Sequence, residues 1–565
     1  MNPLLFLLMS CSGRWVFDLD HDEDNDGFTT KEGDCADNPN VTLNDNQENP
    51  IPSDEINSGA TEIRYNGIDD NCNGMDDEDA DGDNFSVLDG DCDDNNAAIF
   101  PGGIEFRDGL KNDCTADTYV DGINYLRNLV TFGGQSGDHA GWRLAGGDLN
   151  GDGNSDIVAG GNRASGEAGI SYSAFGHEGT WEAENSFADA NVSVTGDSEN
   201  DQSGSSETVC DLDGDGFADW AIGSIGDDSG ATNGGGVALF LGSTDFNGSF
   251  SFGSANSLWW NSQLNANAGT SLACGDVNTQ DSATLLVGAP GLNGAQGAVY
   301  AVSKNTSGDL DTSASSVLYG KADGDHFGSA IAASGDVNGD GLDDLLVGTP
   351  GDSSNGSSVG SASLFLGGET ISSNPFAVYQ GTDAYDQAGT SIAILPDMDG
   401  DGYDETVVAA PFHDGSGQDS GAVYVNRGGF GLSDKELRNS DMIINGSEAG
   451  GEFGLSVTSV GDFDADGLGD LAVGSLSDAN GEDAGIAYLY LGKNLATASS
   501  LDTSSADAAF VGDAGSHAFA LAGVGNVNGQ VYEQVGPYDD LAIGAPDALD
   551  GSGQLFAIFG QASEE

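Results

Sequence analysis

DLNGDGNSD at 148–156, DLDGDGFAD at 211–219, DVNGDGLDD at 336–344, DMDGDGYDE at 397–405 and DFDADGLGD at 462–470 are one nine-residue motif, repeated through a chain of 565 residues. Two degenerate copies, DVNTQDSAT from Asp276 and NVNGQ from Asn526, complete a series of seven with steps of 63, 65, 60, 61, 65 and 64 residues. Seven or eight residues before the copies stand Gly141, Gly204, Gly269, Gly328, Gly389 and Gly454, with Phe519 in that place in the seventh. After the copies come small-residue turns such as LVGAP, LVGTP, VVAAP and AIGAP, then runs such as GGVALFLG, GSASLFLGG and GIAYLYLG. Runs of Val, Ala, Leu, Phe and Tyr bounded by Gly and Asp read as strands. A repeat of about sixty residues holding several short strands makes one four-stranded blade, and such blades close around an axis. The sequence therefore predicts an all-β fold, a seven-bladed β-propeller over 126–565, with the segment from Tyr125 to Phe132 supplying a strand to the last blade.

Charge narrows the function. The chain carries 94 acids and 14 bases, a formal −80 at pH 7. Neutralising phosphates takes clustered Lys and Arg, so an electrostatic nucleic-acid binder is excluded. With 38% hydrophobic residues and 25 Phe the chain can still build a core. Its 89 glycines argue against long helices, since each interior glycine costs about 1 kcal/mol relative to alanine.

The motif itself places oxygen ligands as Ca²⁺ requires: side chains at positions 1, 3, 5 and 9, a main-chain carbonyl at 7 and glycine at 6. The predicted side-chain ligands are Asp148, Asn150, Asp152 and Asp156, then Asp211, Asp213, Asp215 and Asp219. Asp336, Asn338, Asp340 and Asp344 form a third set, Asp397, Asp399, Asp401 and Glu405 a fourth, and Asp462, Asp464, Asp466 and Asp470 a fifth. Carbonyls would come from Asn154, Phe217, Leu342, Tyr403 and Leu468. The third and seventh repeats lose this pattern, with Gln280 and Thr284 in one and Asn526, Asn528 and Gln530 in the other, and are expected to hold no calcium. Cys210 and Cys274 stand just before the loops of neighbouring repeats, where either a disulfide or two buried thiols would fit.

The recurring order FG, DxDxDG, GAP resembles the FG-GAP repeats of integrin α-subunit headpieces over roughly 126–560. The resemblance implies calcium loops on one face and ligand recognition on the other, where loops such as GDDSGATNGG from Gly226 and GDSSNGSSVG from Gly351 would lie. It nominates no particular ligand residue.

Residues 11–125 form a separate acidic region that repeats once. Asp22, Asp24, Asp26, Phe28, Asp34 and Cys35 recur, shifted by 57, as Asp79, Asp81, Asp83, Phe85, Asp91 and Cys92. Carboxylates at positions 1, 3 and 5 with a carbonyl at 7 again suit Ca²⁺, and the acids at position 13 would close each shell. The region resembles thrombospondin type 3 repeats and the metal-binding repeats of bacterial surface proteins. With that resemblance we expect disulfides Cys35–Cys72 and Cys92–Cys114 to staple a region thin in apolar residues. Copper finds little of the soft sulfur or clustered imidazole it prefers, His21 being the region's one histidine. At the start, the apolar run to Met9 followed by Ser10 and Cys11 resembles the lipobox of bacterial lipoproteins. It implies a signal over 1–10, a lipid on Cys11 and attachment to the outer membrane.

No catalytic motif is found in its required context. His139, His326 and His517 occupy one repeat position that holds Gln202, Asn267, Gln387 or Glu452 elsewhere, which reads as a structural polar slot; His177 and His413 lie in loops without an evident constellation. The expected function is thus a calcium-binding, lipid-anchored surface protein that recognises an extracellular protein or glycan and is not an enzyme. The alternatives are an extracellular enzyme acting on polysaccharide or lipid, and surface metal sequestration.

Overall fold

In the computed structural model the chain divides into two compact units, Met1–Asn124 and Tyr125–Glu565. The described residues are 129–560, apart from 179–180, 182–183, 280–281, 477–483, 513–514, 530 and 533–535, together with two short strand pairs in the first unit. Those pairs are Leu8–Met9 with Trp15–Val16 and Thr42–Asn44 with Pro50–Pro52. The first-unit ligands and cysteines predicted above, Cys11 included, lie outside the described residues.

The second unit is a seven-bladed propeller. Blade one runs outward through Arg143–Gly147, Asp156–Gly161, Ile170–Ala174 and Val192–Thr195, each antiparallel to the next. The same meander recurs in the other six. The innermost strands touch one another in sequence around the ring, and the seventh, Ala520–Gly525, returns to Arg143–Gly147. Closure comes from the strand Leu129–Gly133, which pairs antiparallel with Gln554–Ile558 as the outer strand of blade seven. The first and last parts of the propeller chain therefore share one sheet. Five blades also take a fifth, parallel strand from the neighbouring blade, as Gly248–Ser251 adds to Val192–Thr195.

The core lies between blades. Second strands such as Asp219–Ser224 and Thr284–Ala289 are buried at every residue because blades cover both faces. This explains their unbroken runs of small and apolar residues. Outer strands such as Ser257–Trp260 alternate buried and half-buried positions, as one open face dictates. Leu239 and Trp259 of blade two pack in one cluster with Leu285, Val287 and Tyr300 of blade three. The Cys210–Cys274 disulfide joins the innermost strands of the same two blades. It closes a span of 64 residues, worth roughly 2–4 kcal/mol.

Blade-to-blade spacing is set by backbone contact. Gly169, Gly235, Gly297, Gly360, Gly421, Gly485 and Gly553, one before each third strand, all have φ between +75° and +85°. Six of them form parallel bridges to the segment approaching the next blade, such as Gly235 to Ala268. A Cβ on Gly235 would stand 2.2 Å from the Ala268 carbonyl oxygen and 2.4 Å from its nitrogen. In that approaching segment, the slot read as polar is left-handed in all seven repeats: His139, Gln202, Asn267, His326, Gln387, Glu452 and His517 have φ of +46° to +57°.

Glu207, on the innermost strand of blade two, is buried between blades. Its carboxyl accepts hydrogen bonds from Ser171 Oγ at 2.6 Å and Trp220 Nε1 at 2.7 Å. Burial outweighs both and pushes its pKa up to about 8.

These contacts set two expectations. Gly235→Ala should cost several kcal/mol in urea denaturation, because strain and overlap add. Gly324→Ala, at φ +85° with open space around it, should cost only about 1 kcal/mol. Because an acid with a raised folded pKa favours the folded state only while protonated, the Glu207 contribution is intact below about pH 4.5 and is lost as pH rises toward 8. Glu207→Gln should therefore flatten the fall of unfolding free energy across that window by up to about 1.4 kcal/mol per pH unit; an unchanged slope would refute the assignment.

Candidate metal centres

All five intact motifs lie between the first and second strands of their blades. Each loop is wound by its first aspartate. Asp148 accepts amide hydrogen bonds at Oδ1 from Gly151 (2.6 Å) and Asp152 (3.1 Å), and at Oδ2 from Gly153 (2.8 Å). Asp211, Asp336 and Asp397 repeat the set, and Asp462 keeps the bonds from Asp466 and Gly467. The position 5 carboxylate then receives the amide of position 7, as Asp152 does from Asn154 at 2.9 Å. That bond holds the amide side of the residue whose carbonyl was predicted to face the cation.

The loops are also tied to one another. The position 8 amide of one loop donates to the position 1 carbonyl of the preceding blade: Ala218 to Asp148 (2.8 Å), Asp404 to Asp336 (3.3 Å), Asp539 to Asp462 (3.1 Å), and Ser155 back to Asn526 (2.9 Å). Position 8 acids add a return bond between the same two loops, Asp404 Oδ2 accepting from the Asp336 amide at 2.7 Å.

Position 9 has a further role that the sequence reading missed. Asp156, Asp219, Asp344, Glu405 and Asp470 are all at most 1% exposed. One oxygen accepts the amide of position 2, from Leu149, Leu212, Val337, Met398 or Phe463, at 2.7–3.0 Å. In four of them the other oxygen accepts an amide just beyond the third strand, from Gly176, Gly242, Gly367 or Gly492. Asp540 makes the same two bonds in blade seven, where the loop is degenerate. The position 9 acid is thus a backbone clamp in its own right. Burial pushes Asp156, Glu405 and Asp470 up to about 8, Asp540 to about 7, and Asp219 and Asp344 to about 6.

The clustered carboxylates suit a cation. Carboxylate oxygens of Asp211, Asp213 and Asp215 lie within 4.8 Å of one another, as do those of Asp397, Asp399 and Asp401 and of Asp462, Asp464 and Asp470. Asp213 Oδ1, Glu405 Oε1 and Asp464 Oδ1 are buried and accept no hydrogen bond. A buried carboxylate oxygen without a hydrogen-bond partner is costly, and a hard divalent cation would supply the missing partner. Asn150 and Asn338 stand at position 3 of the other two loops, with Asn338 Nδ2 turned toward Asp344.

Histidines gain partners that sequence spacing could not show. His413 Nδ1 lies 2.8 Å from Asp386 Oδ2, with Asp383 beside them. Asp547 lies between His139 Nδ1 (3.2 Å) and His517 Nδ1 (2.9 Å). His177 stacks on Trp181 with ring centroids 4.4 Å apart.

Residues 140–173, 327–365 and 388–426 match the FG-GAP repeat. Three segments of the propeller thus carry FG-GAP repeats. In the first unit, 53–78 and 91–118 match the family described as "Putative metal-binding motif". The matches take in Cys72, Asp91, Cys92 and Cys114 but begin downstream of Asp22–Asp34 and skip Asp79–Phe85. Among curated proteins the chain is 32% identical over 219 residues to integrin alpha-5 of Xenopus laevis, covering 37% of this chain and 20% of that protein. It is 34% identical over 218 residues to phosphatidylinositol-glycan-specific phospholipase D of Rattus norvegicus, covering 34% and 25%. The chain thus spans about a fifth to a quarter of the length of these relatives. Among solved structures, the exotype rhamnogalacturonan lyase YesX aligns with a TM-score of 0.36 at 10% identity, over 75% of this chain and 72% of that one. Among the described residues, no helix is long and apolar enough to cross a membrane.

The clamp makes a direct prediction. Asp540→Ala should destabilise the propeller by about 2–4 kcal/mol even in EGTA, because two buried amides lose their acceptor. Denaturation with and without chelator checks it, and a cost seen only with calcium present would make the residue a ligand first.

Proposed function

We propose that the protein is a calcium-binding surface protein whose propeller recognises an extracellular protein or glycan, held at the outer membrane by a lipid on Cys11. The observation that carries the calcium reading is the set of buried, unpartnered oxygens Asp213 Oδ1, Glu405 Oε1 and Asp464 Oδ1 within the acidic loops. The ring of bonds from loop to loop gives calcium a structural role, since a cation in one loop rigidifies the seam to the next blade. Recognition is supported by likeness to integrin α-subunits and by loops held on a stiff scaffold, where binding residues are commonly placed. The anchor rests on the Ser10-Cys11 sequence alone. An esterase activity is the competing reading, favoured by the relative named as a phospholipase.

Because a ligand bound only by the folded state stabilises by mass action, saturating Ca²⁺ should raise the melting temperature of the EGTA-stripped chain by several degrees. An EGTA-insensitive melt would overturn the calcium reading. Calcium-dependent capture on a glycan array or cell-surface extract, set beside hydrolysis of glycosylphosphatidylinositol by the same preparation, separates recognition from catalysis.

A further inference from the structure

Position 3 divides the five loops into two chemical kinds. It is Asn150 and Asn338 in blades one and four, and Asp213, Asp399 and Asp464 in blades two, five and six. Each of the three aspartates holds a basic side chain, and it does so through one oxygen. Lys304 Nζ lies 3.0 Å from Asp213 Oδ2 and donates to the Asp213 carbonyl at 3.1 Å. Arg427 Nη1 lies 2.7 Å from Asp399 Oδ2, and its Nη2 donates to the Ala496 carbonyl at 2.7 Å. Lys493 Nζ lies 3.0 Å from Asp464 Oδ2. Among the described residues no ion pair reaches a carboxylate of the two asparagine loops.

These are not ordinary surface pairs. The side chains of Asp213, Asp399 and Asp464 are 15%, 6% and 2% exposed. Only nine Lys and Arg follow residue 125, so three of them meeting the three position 3 aspartates is a pattern that scattered surface pairing would not produce. In blades two and six the base takes Oδ2 and leaves Oδ1 as the buried oxygen without a donor.

We infer that Lys304, Arg427 and Lys493 are built-in counter-cations that turn one oxygen of position 3 inward and bring the four side-chain ligand positions, 1, 3, 5 and 9, to the same net charge in all five loops. The inference rests on the calcium reading above. With every ligand carboxylate ionised, as a bound cation requires, four carboxylates at positions 1, 3, 5 and 9 and one base give three negative charges in blades two, five and six. Three carboxylates with an asparagine give the same three in blades one and four. A fourth uncompensated carboxylate would add repulsion to the metal-free loop, and ligand charge count is one of the variables that tune calcium affinity. The lysines and arginine are positioning residues: they touch the ligand, not the ion.

Calorimetric Ca²⁺ titration of the EGTA-stripped full-length chain tests this through blade six, with thermal melts as a second readout. Asp464→Asn leaves an unpaired lysine beside two fewer net negative charges than Lys493→Met would leave, and one of five calcium equivalents should weaken at least about tenfold. Asp464→Asn combined with Lys493→Met recreates the asparagine kind of loop and should return that equivalent to within about threefold of the unmodified chain, a strong non-additivity. Lys493→Arg should bind as the unmodified chain does. A double variant as weak as Asp464→Asn alone would overturn charge balancing while leaving calcium binding in place. If the unmodified chain takes up no Ca²⁺, the calcium reading fails and this inference with it.

Discussion

The buried position 9 carboxylate is the interaction on which the blades depend. It sits at the start of the second strand, receives an amide from the loop before it, and in most blades receives another from beyond the third strand. Three strands of a blade are thereby joined through one side chain with no solvent to replace it. Leaving such amides without an acceptor costs about 1–3 kcal/mol each, and Asp540 makes both bonds in a blade whose degenerate loop has Asn526, Asn528 and Gln530 in place of carboxylates. Blade three shows the alternative, with Thr284 at the same place bonded to Asn278.

Around this clamp the propeller is held by contacts between neighbours, and each is made largely by backbone. On one side, left-handed glycines meet the next approaching segment too closely for a Cβ. On the other, the acidic loops hand hydrogen bonds from blade to blade. Closing a ring removes most exposed sheet edges, and here the closing strand, Leu129–Gly133, comes from before the first repeat. A cation in any loop would therefore act on a seam as well as on its own ligands.

Much of the propeller was legible because its constraints are local and repeated. The spacing of DxDxDG announced the blades, and the alternation of His, Gln, Asn and Glu at one position announced a structural slot, whose common feature proves to be a positive φ. What the sequence hid were partnerships made across large separations. Lys304 reaches Asp213 over 91 residues and Asp386 meets His413 over 27, and neither pair belongs to a motif. The clamp at position 9 stayed hidden for a different reason: a carboxylate that holds amides and one that awaits calcium have the same spelling.

By itself the sequence determined the number of blades, the loop that carries each acidic cluster and the excess of negative charge, because these follow from period and residue type. Only the tertiary structure decided which oxygens are already taken by backbone amides, which are held by a lysine or arginine, and which are left buried and unpartnered. The reason is physical: a carboxylate's character is set by the donors and charges packed against it, and these come from distant parts of its own blade and from the neighbouring one.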